Sequence, residues 1–299
     1  MTHIDRRLQK LPEYASFRSC VPLKRIIVDE DVSPLDSRSK EWVIYESGPR
    51  DVACPLMFLP PVSGAADVFY KQILSLSSHG YRVMSAEFPP YWKVSTFCAA
   101  LSKVLNELGV YKIHLFGASL GGFLCQKYAE SSHGRSRVVS MILCNSFSDT
   151  SIFERHEIAG MYWIMPSVII KRMILSGFSR RPADREIAAS IDFMVESLDS
   201  LNQPQLASRM TLNCSRSHCN TRRLADLPIT IIDVFDACAL TPEARDAVHI
   251  GYPHAKRASL KSGGSFPYLS RSAEVNMHIR IHLKQFEGCD TSAQEIQLL

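Results

Sequence analysis

The chain has 299 residues and a formal net charge of +4, with 34 Lys plus Arg against 30 Asp plus Glu. Hydrophobic residues make up 46% of it and charged residues 21%. These proportions are typical of a globular protein and exclude a chain that is disordered throughout. Its basic residues do not form runs of five or six, so the sequence gives no indication of a nucleic-acid partner.

The sequence carries no recognisable signal for export or membrane insertion. Its first thirty residues are charged and lack the apolar core of a secretory signal. The longest apolar stretch, Ile158 to Ile170, contains Pro166 and is shorter than the roughly 20 residues that a membrane span needs. Nine cysteines, among them Cys125 and Cys144 in apolar segments, are typical of buried thiols in a reducing compartment. These features predict a cytosolic protein.

Short runs of β-forming residues alternate along the chain with longer segments of helical periodicity. This alternation predicts an α/β fold with a mostly parallel sheet and crossover helices. The segment 96–108 has apolar residues at the spacing of one helix face, and Gly109 ends it. The predicted strands are 24–28, 41–45, 55–59, 81–86, 112–116, 138–144, 229–234 and 257–261.

The alternation stops after residue 145 and resumes at residue 228. The segment 146–227 has helical periodicity and no convincing strand, which predicts a helical cap inserted into the sheet domain. We therefore divide the chain into an α/β core of 1–145 and 228–287, the cap, and a flexible tail of 288–299.

The middle of this cap, Met161 to Leu175, is apolar around most of its circumference. Two interpretations are open. The segment is a cap helix buried against the sheet domain, or it presents an exposed apolar surface to a partner or a lipid face. The candidate residues for a partner surface are Met161, Trp163, Ile164, Lys171 and Arg172.

A strand-turn-helix segment carries the pattern Gly-x-Ser-x-Gly. The run KIHLFG leads into Gly117, Ser119, Gly121 and Gly122, and a helical segment follows. In this context a sharp turn lifts the serine oxygen above the sheet edge, and the glycines leave room for neighbouring backbone. The turn also places the serine at a helix N-terminus, where developing negative charge is favoured.

This motif and five longer stretches resemble a non-catalytic branch of the α/β-hydrolase-fold family. The stretches are CVPLKRIIVDED, PLMFLPPVSGAADVF, HLFGASLGGFL, MILCNSFSDTSIF and GGSFPYLSRSAEVN, and the likeness spans nearly the whole chain. The resemblance implies a mostly parallel central sheet flanked by helices, with a helical cap. It also implies a cytosolic binding protein that associates peripherally with endosomal and trans-Golgi membranes. Such a protein would bind the cytoplasmic tail of the T-cell co-receptor and negatively regulate its signalling.

Ser119 is the candidate nucleophile, and it needs a base to take its proton. In active relatives a Gly-His pair follows the last strand, but here the histidine position is occupied by Ser265. A hydroxyl cannot act as a general base at neutral pH. The acid candidate is Asp236, after strand 229–234, with Asp233 as a less favoured alternative. Without a histidine, Asp236 is expected to hydrogen-bond Ser119, Ser265 or a loop backbone.

The oxyanion hole, which stabilises the transition state, is predicted to be weakened. Its two donors in this fold are backbone N–H groups, one after the third strand and one after the nucleophile. Pro60 and Pro61 have no N–H to donate. Val62 and Leu120 remain as candidate donors.

No other histidine is expected to replace the base. His254 is placed about 20 Å down the sheet from Ser119. His278 and His282, four residues apart, are predicted to be a surface pair on the last helix rather than metal ligands. Structural roles are expected for His114 and His133. His218 lies between Cys214 and Cys219, whose spacing matches no standard zinc site.

Three functions follow from these residues. The first is a non-catalytic binding or adaptor protein. The alternatives are a weak esterase or lipase-like hydrolase that uses Ser119, and a small-ligand sensor. No motif requires a metal, nucleotide or flavin cofactor, and no lipidation motif is present. Any membrane contact would therefore be peripheral, through proteins or a surface patch.

Overall fold

The computed structural model describes residues 11–28, 40–153, 156–178 and 184–287. The predicted tail, 288–299, lies outside the described residues. Within them no helix is long and apolar enough to cross a membrane.

Eight strands within the described ranges form one sheet. They are β1 (Leu23–Val28), β2 (Lys40–Ser47), β3 (Leu56–Leu59), β4 (Val83–Glu87), β5 (Ile113–Ala118), β6 (Val138–Cys144), β7 (Ile229–Val234) and β8 (Lys256–Leu260). Their order across the sheet is β1-β2-β4-β3-β5-β6-β7-β8. Strand β2 is antiparallel to both of its neighbours, and all other pairs are parallel. The eight predicted strands are therefore confirmed, with ends shifted by one or two residues.

Helices connect the strands and cover the sheet. They are α1 (Pro12–Cys20), α2 (Tyr70–Ser78), α3 (Val94–Glu107), α4 (Leu120–Glu130), α5 (Ser167–Leu175), α6 (Arg185–Ser200), α7 (Gln203–Cys214), α8 (Pro242–Gly251), α9 (Pro267–Ser270) and α10 (Ser272–Lys284). Short 3₁₀ helices occupy Ala66–Phe69, Thr150–Ile152, His156–Ile164 and Thr221–Leu224.

The inner strands of the sheet are buried on both faces, as expected for parallel strands between helix layers. All six residues of β5 are buried. One apolar cluster joins the sheet to α3, α4 and α8, and the other joins it to α1, α2, α9 and α10. Strand β5 lies in the middle of the sheet, between β3 and β6. The loops that follow these strands therefore converge near the carboxyl end of β5. Ligand sites of α/β proteins form at this edge.

Helices α5, α6 and α7 follow β6 and precede β7. They have an apolar cluster of their own, which includes Ile170, Leu198 and Leu206. Helix α6 also contributes Met194 to the sheet-side cluster, so it joins the two regions. The amide of Ala65, in the loop after β3, donates to Ser197 Oγ on α6 at 3.1 Å. The helices therefore lie over the carboxyl edge of the sheet.

The segment from Met161 to Leu175 is not one buried helix. A 3₁₀ helix ends at Ile164, and α5 begins at Ser167 because Pro166 cannot continue the preceding hydrogen-bond pattern. Tyr162 and Ile170 are fully buried, whereas Met161, Trp163 and Ile164 are 51%, 64% and 58% exposed. The interpretation of a cap helix buried against the sheet domain is therefore wrong for Met161, Trp163 and Ile164, which form an exposed apolar surface.

Candidate functional site

Ser119 stands between β5 and α4 in a strained backbone conformation. Its φ of 49° and ψ of −116° are unusual for a residue with a side chain. The amide of Ser119 donates to the carbonyl of Cys144 at the end of β6, at 3.1 Å, which holds the turn against the neighbouring strand. The predicted sharp turn thus raises the serine above the carboxyl edge of the sheet.

The glycines around Ser119 are required by close approach of backbone. A side chain at Gly121 would overlap the carbonyl of Leu59 at the end of β3. One at Gly117 would overlap the backbone of Gly122, and one at Gly122 would meet the side chain of Ser146. Packing of the turn alone therefore explains all three glycines.

Ser119 lines a cavity of about 460 Å³ beneath the cap helices. Its polar lining includes Ser265, Asn145 and Asn213, while Met173, Ile174, Phe178 and Met210 are among its apolar walls. No described residue that lines it carries a carboxylate, an imidazole or a cationic group. Burial raises the pKa of the Cys238 thiol in the same wall, which disfavours a thiolate there.

Ser265 faces the same cavity as Ser119, and Asp236 supports the loop that carries it. The Ser265 hydroxyl accepts a hydrogen bond from the amide of Ala239 at 3.0 Å. The carboxylate of Asp236 accepts from the amides of Gly263 and Gly264, each at 3.1 Å. Of the three partners expected for Asp236, the structure gives it the loop backbone.

The Ser119 hydroxyl forms no hydrogen bond with any other described residue. The described histidines lie elsewhere. His114 and His282 are buried near the amino ends of β5 and β7, where both bond to Ser140 Oγ, at 2.6 and 2.7 Å. The predicted surface pair is therefore wrong for His282, which is 1% exposed because its face of α10 packs against the sheet. His254 is exposed in the turn before β8.

A His–Asp pair that the sequence analysis missed lies at a second, separate pocket. His249 Nε2 on α8 is 2.7 Å from Asp233 Oδ2 on β7. The pocket that both residues line shares no lining residue with the Ser119 cavity. This pair therefore does not supply a base to Ser119. Asp233 lies within β7, as predicted, and burial raises the pKa of its carboxyl.

The two candidate oxyanion donors belong to differently constrained segments. Leu120 begins α4, so its amide is one of those that a helix leaves without an internal partner. Val62 lines the cavity in the loop after β3. The buried side chain of Arg209 on α7 donates to the carbonyls of Val62, at 3.3 Å, and of Gly64. The cap thus holds this loop in place through one guanidinium group.

Sequence analysis missed Arg209, Asn213 and Asn145 in this region. Arg209 and Asn213 lie on α7, whose residues from Leu206 to Cys214 are all buried. Polar residues are mostly exposed on helices, so their burial had no local signal. Asn145 has a φ of 41°, and its position directly after the predicted strand 138–144 was the one available hint.

The sheet order, the turn at Ser119 and the overlying helices define the class of protein. A family model for the alpha/beta hydrolase fold matches residues 55–172. A thermophilic esterase from Thermogutta terrifontis superposes with a TM-score of 0.72 at 17% identity, covering 88% of this chain and 98% of the esterase. The enol-lactonase from Burkholderia xenovorans LB400 has a TM-score of 0.68 at 13% identity, covering 82% and 97%. The protein therefore has the α/β-hydrolase fold.

Curated relatives identify the branch within this fold. Maspardin from Homo sapiens is 53% identical over 282 residues, which cover 94% of this chain and 90% of that protein. Maspardin from Danio rerio is 53% identical over 277 residues, which cover 93% and 87%. The chain belongs to the maspardin family.

Proposed function

We propose that this protein is a non-catalytic binding protein built on an α/β-hydrolase scaffold. In this proposal it acts in the cytosol and associates peripherally with endosomal and trans-Golgi membranes. It binds the cytoplasmic tail of the T-cell co-receptor and negatively regulates its signalling. The proposal has two parts. Ser119 does not act as a nucleophile, and an exposed surface on the cap binds the partner. Each part rests on separate observations.

The observation that carries the first part is the composition of the Ser119 cavity. Its described lining offers the serine no imidazole and no carboxylate. The resemblance to active relatives assigns Ser265 to the position of their histidine. Loss of the histidine from a serine hydrolase costs on the order of 10⁶ in turnover, about as much as losing the whole triad. The strained turn and its glycines are accounted for by packing, so they do not require catalysis.

A fluorophosphonate probe measures the reactivity of Ser119 directly. Because no base accepts the serine proton, we expect the native protein to be labelled no faster than its Ser119→Ala variant. A related active serine esterase, assayed in parallel, verifies the probe. Labelling of the native protein that disappears in Ser119→Ala would show an active nucleophile and would overturn the non-catalytic part of the proposal.

The observation behind the second part is the apolar outer face of the cap. Trp163 and Ile164 are exposed there together with Val168 and Ile169, which are 60% and 47% exposed. An exposed apolar cluster of this kind typically marks an interaction site, and Trp is enriched among residues that dominate binding energy. We define this cap surface as Met161, Trp163, Ile164, Val168 and Ile169.

The cap surface is held rigidly from beneath, which lowers the entropic cost of binding. The side-chain Nε2 of Gln203 on α7 donates to the carbonyls of Trp163, at 2.9 Å, and Met165, at 3.1 Å. Lys171 is tied to Asp199 on α6 by a 3.0 Å ion pair, and Arg172 is exposed beside it. A preorganised apolar patch with a cationic rim suits a short peptide with apolar anchors.

We expect the triple substitution of Met161, Trp163 and Ile164 by Ser to weaken capture of a synthetic co-receptor tail peptide at least tenfold. Each residue is more than half exposed, so the fold should remain intact. Calorimetric titration of the peptide gives the affinity, and circular dichroism checks the fold. The matched control replaces Ile250, Met277 and Ile281, which are also exposed but lie on α8 and α10. Equal affinity of the native protein and the cap triple variant would reject this surface.

A further inference from the structure

A further pocket, away from the Ser119 cavity, is rich in cationic side chains. It has a volume of about 720 Å³ and shares no lining residue with that cavity. Its described lining carries four cationic side chains and a single carboxylate, although the whole chain has 34 basic against 30 acidic residues. We call it the basic pocket and define it by Lys93, Lys127, Arg216, Arg223 and the carboxylate of Glu130.

The four cations of the basic pocket come from separate parts of the chain. Lys93 precedes α3, and Lys127 lies on α4. Arg216 follows α7, and Arg223 lies in the 3₁₀ helix Thr221–Leu224. The positive charge is therefore concentrated by the tertiary structure rather than by a run of basic residues. A concave site lined by charges of one sign focuses their field and attracts ions of the opposite sign.

The carboxylate of Glu130 compensates only one of these charges. It is paired with Lys127 Nζ, three residues earlier on α4. Among the residues that the structure describes, no hydrogen-bond or ion-pair partner is found for the side chains of Lys93, Arg216 and Arg223. All three are exposed. Three cationic groups are thus left to bind an external anion.

The loop that follows α7 and carries Arg216 is fixed from beneath. The hydroxyl of buried Thr150 accepts a hydrogen bond from the amide of Ser217 at 2.8 Å. Lys127 Nζ, on α4, donates to the carbonyl of His218 at 3.0 Å. Because this loop is already held in place, binding of a ligand requires little further ordering of it.

The donors of the basic pocket suit clustered phosphate groups better than a single carboxylate. A guanidinium group binds two phosphate oxygens at once, and a phosphate monoester carries a charge of about −1.5 to −2 at neutral pH. The hydroxyls of Ser95 and Ser132 line the same pocket and are further donors. Helix α3 begins here without an acidic residue in its first turn, so its N-terminus adds to the positive potential.

An exposed aromatic side chain in the wall of the pocket points to a membrane as the source of these phosphates. Trp92 lies beside Lys93 and is 38% exposed. An indole ring next to cations is typical of surfaces that contact the headgroup region of a membrane, where the ring enters the interface and the cations bind anionic lipids. An extended acidic peptide would instead spread its charges at roughly 3.3 Å per residue.

We propose that the basic pocket binds the headgroup of a polyphosphorylated inositol lipid in a membrane. The inference rests on the peripheral membrane association in the proposed function, and it names the class of lipid that recruits the protein. The site is separate from the cap surface and needs neither a protein partner nor catalysis.

Vesicle flotation with the purified protein tests the choice of headgroup. The vesicles contain phosphatidylcholine with either a phosphatidylinositol bisphosphate or enough phosphatidylserine to match its total charge. We expect at least about tenfold tighter binding to the bisphosphate vesicles, and competition by soluble inositol trisphosphate. Equal binding to both vesicles would show attraction to charge alone and would overturn the proposal. A phosphoserine peptide that binds as tightly as the bisphosphate vesicles would assign the pocket to a protein ligand and would also overturn it.

Paired arginine substitutions separate the basic pocket from the general surface charge. Arg216→Gln with Arg223→Gln should weaken binding to the bisphosphate vesicles at least about tenfold. The matched control, Arg135→Gln with Arg222→Gln, removes the same charge from exposed arginines outside the pocket lining. It should weaken binding less than about twofold, because screening limits distant charges. Equal losses in the two double variants contradict the proposed site.

Trp92→Ser distinguishes a headgroup in a membrane from a soluble one. This variant should bind the bisphosphate vesicles at least about threefold more weakly, since it lacks the ring that enters the interface. Its affinity for inositol trisphosphate, measured by calorimetry, should equal that of the native protein. Unchanged binding to vesicles contradicts a membrane-bound ligand.

Failure of this inference can be told apart from failure of the proposed function. The variant with Arg216→Gln and Arg223→Gln should bind the co-receptor tail peptide as the native protein does, because the cap surface shares no residue with the basic pocket. This titration also verifies that the variant is folded. If the native protein associates with endosomal membranes in cell fractionation but shows no preference for bisphosphate vesicles, this inference is wrong and the peripheral association stands.

Discussion

The Ser265→His variant should react with fluorophosphonate and hydrolyse p-nitrophenyl acetate at least about a hundredfold faster than the native protein. The substitution places an imidazole in a loop that already lines the Ser119 cavity. It supplies the base of the predicted triad, in which Ser119 is the candidate nucleophile and Asp236 the candidate acid. The expected gain is well below the roughly 10⁶ that a full triad supplies, because we predict a weakened oxyanion hole in the loop with Pro60 and Pro61.

The position of Asp236 explains why one substitution is expected to be enough. Its carboxylate holds the amides of Gly263 and Gly264, directly before residue 265. An imidazole at 265 would therefore enter a loop whose backbone is already fastened to the acid. A carboxylate in that position stabilises the imidazolium and orients the ring toward the nucleophile. In the native protein the hydroxyl of Ser265 accepts a hydrogen bond from the backbone amide of Ala239, and the substitution removes this bond.

Two double variants separate catalysis from a change of surface chemistry. Ser265→His with Ser119→Ala should show no labelling, because the nucleophile is absent. Ser265→His with Asp236→Asn should retain the fold but lose most of the gained rate, since the imidazole then lacks its acid. If the Ser265→His variant is folded but still unreactive, then the absence of a base is not the main reason why the native protein lacks catalytic activity. The oxyanion loop would then be the part that prevents catalysis.

The sheet could be predicted from sequence because its strands carry a strong local signal. Runs such as 138–144 and 229–234 are mostly apolar and rich in Val and Ile, and they match β6 and β7 without a shift. The turn at Ser119 was equally readable, since Gly117, Gly121 and Gly122 sit where neighbouring backbone comes close. In these places the local sequence alone specifies the structure.

In the cap and in the last helix, long-range packing decides which residues are buried. The periodicity of apolar residues in the sequence does not show this packing. The segment around Trp163 is apolar around most of its circumference, and only the folded chain shows that Tyr162 is buried while Trp163 is exposed. His282 looked like an exposed residue of an amphipathic helix. It is buried because Ser140 and Thr230, from two different strands, provide hydroxyls for both ring nitrogens.

The two cavity asparagines were missed for the same reason. Asn213 lies in a sequence that resembles a glycosylation sequon and gave no reason to expect a buried acceptor. Asn145 looked like an ordinary residue at the end of a strand. Both side chains are buried, and neither Oδ1 accepts a hydrogen bond from a described residue. Such a property belongs to the tertiary structure and has no sequence motif.

The buried histidines form a polar network near the amino edge of the sheet, whereas the serine turn lies at the carboxyl edge. Ser140 Oγ lies between His114 Nδ1 and His282 Nε2, and the other nitrogen of His282 is 2.7 Å from Thr230 Oγ1. Burial lowers the pKa of His114 to about 4. Burial, followed by the nearby His114 and Lys256, lowers the pKa of His282 to about 3. Both rings are therefore neutral in the folded protein across the physiological range.

The free energy of unfolding should consequently fall as the pH drops from 7 to 5. In the unfolded chain both histidines take up protons near their ordinary pKa of about 6.5, whereas in the folded protein they do so only near 3 to 4. Protons thus bind preferentially to the unfolded state within this window, and each histidine removes roughly 2 kcal/mol of stability between pH 7 and 5. Asp67 and Asp233 act in the opposite direction, because burial raises the pKa of their carboxyls.

A comparison of variants isolates the histidine contribution from these carboxylates. His282→Gln keeps hydrogen-bonding groups toward Ser140 and Thr230 but cannot titrate, so it should reduce the loss of stability between pH 7 and 5 by about 2 kcal/mol. Urea denaturation at several pH values measures this difference. His254→Gln is the control, because His254 is exposed and its replacement should leave the pH dependence unchanged. If native protein and His282→Gln lose the same stability over this range, then His282 takes up its proton in the folded protein as readily as in the unfolded chain, and burial does not lower its pKa.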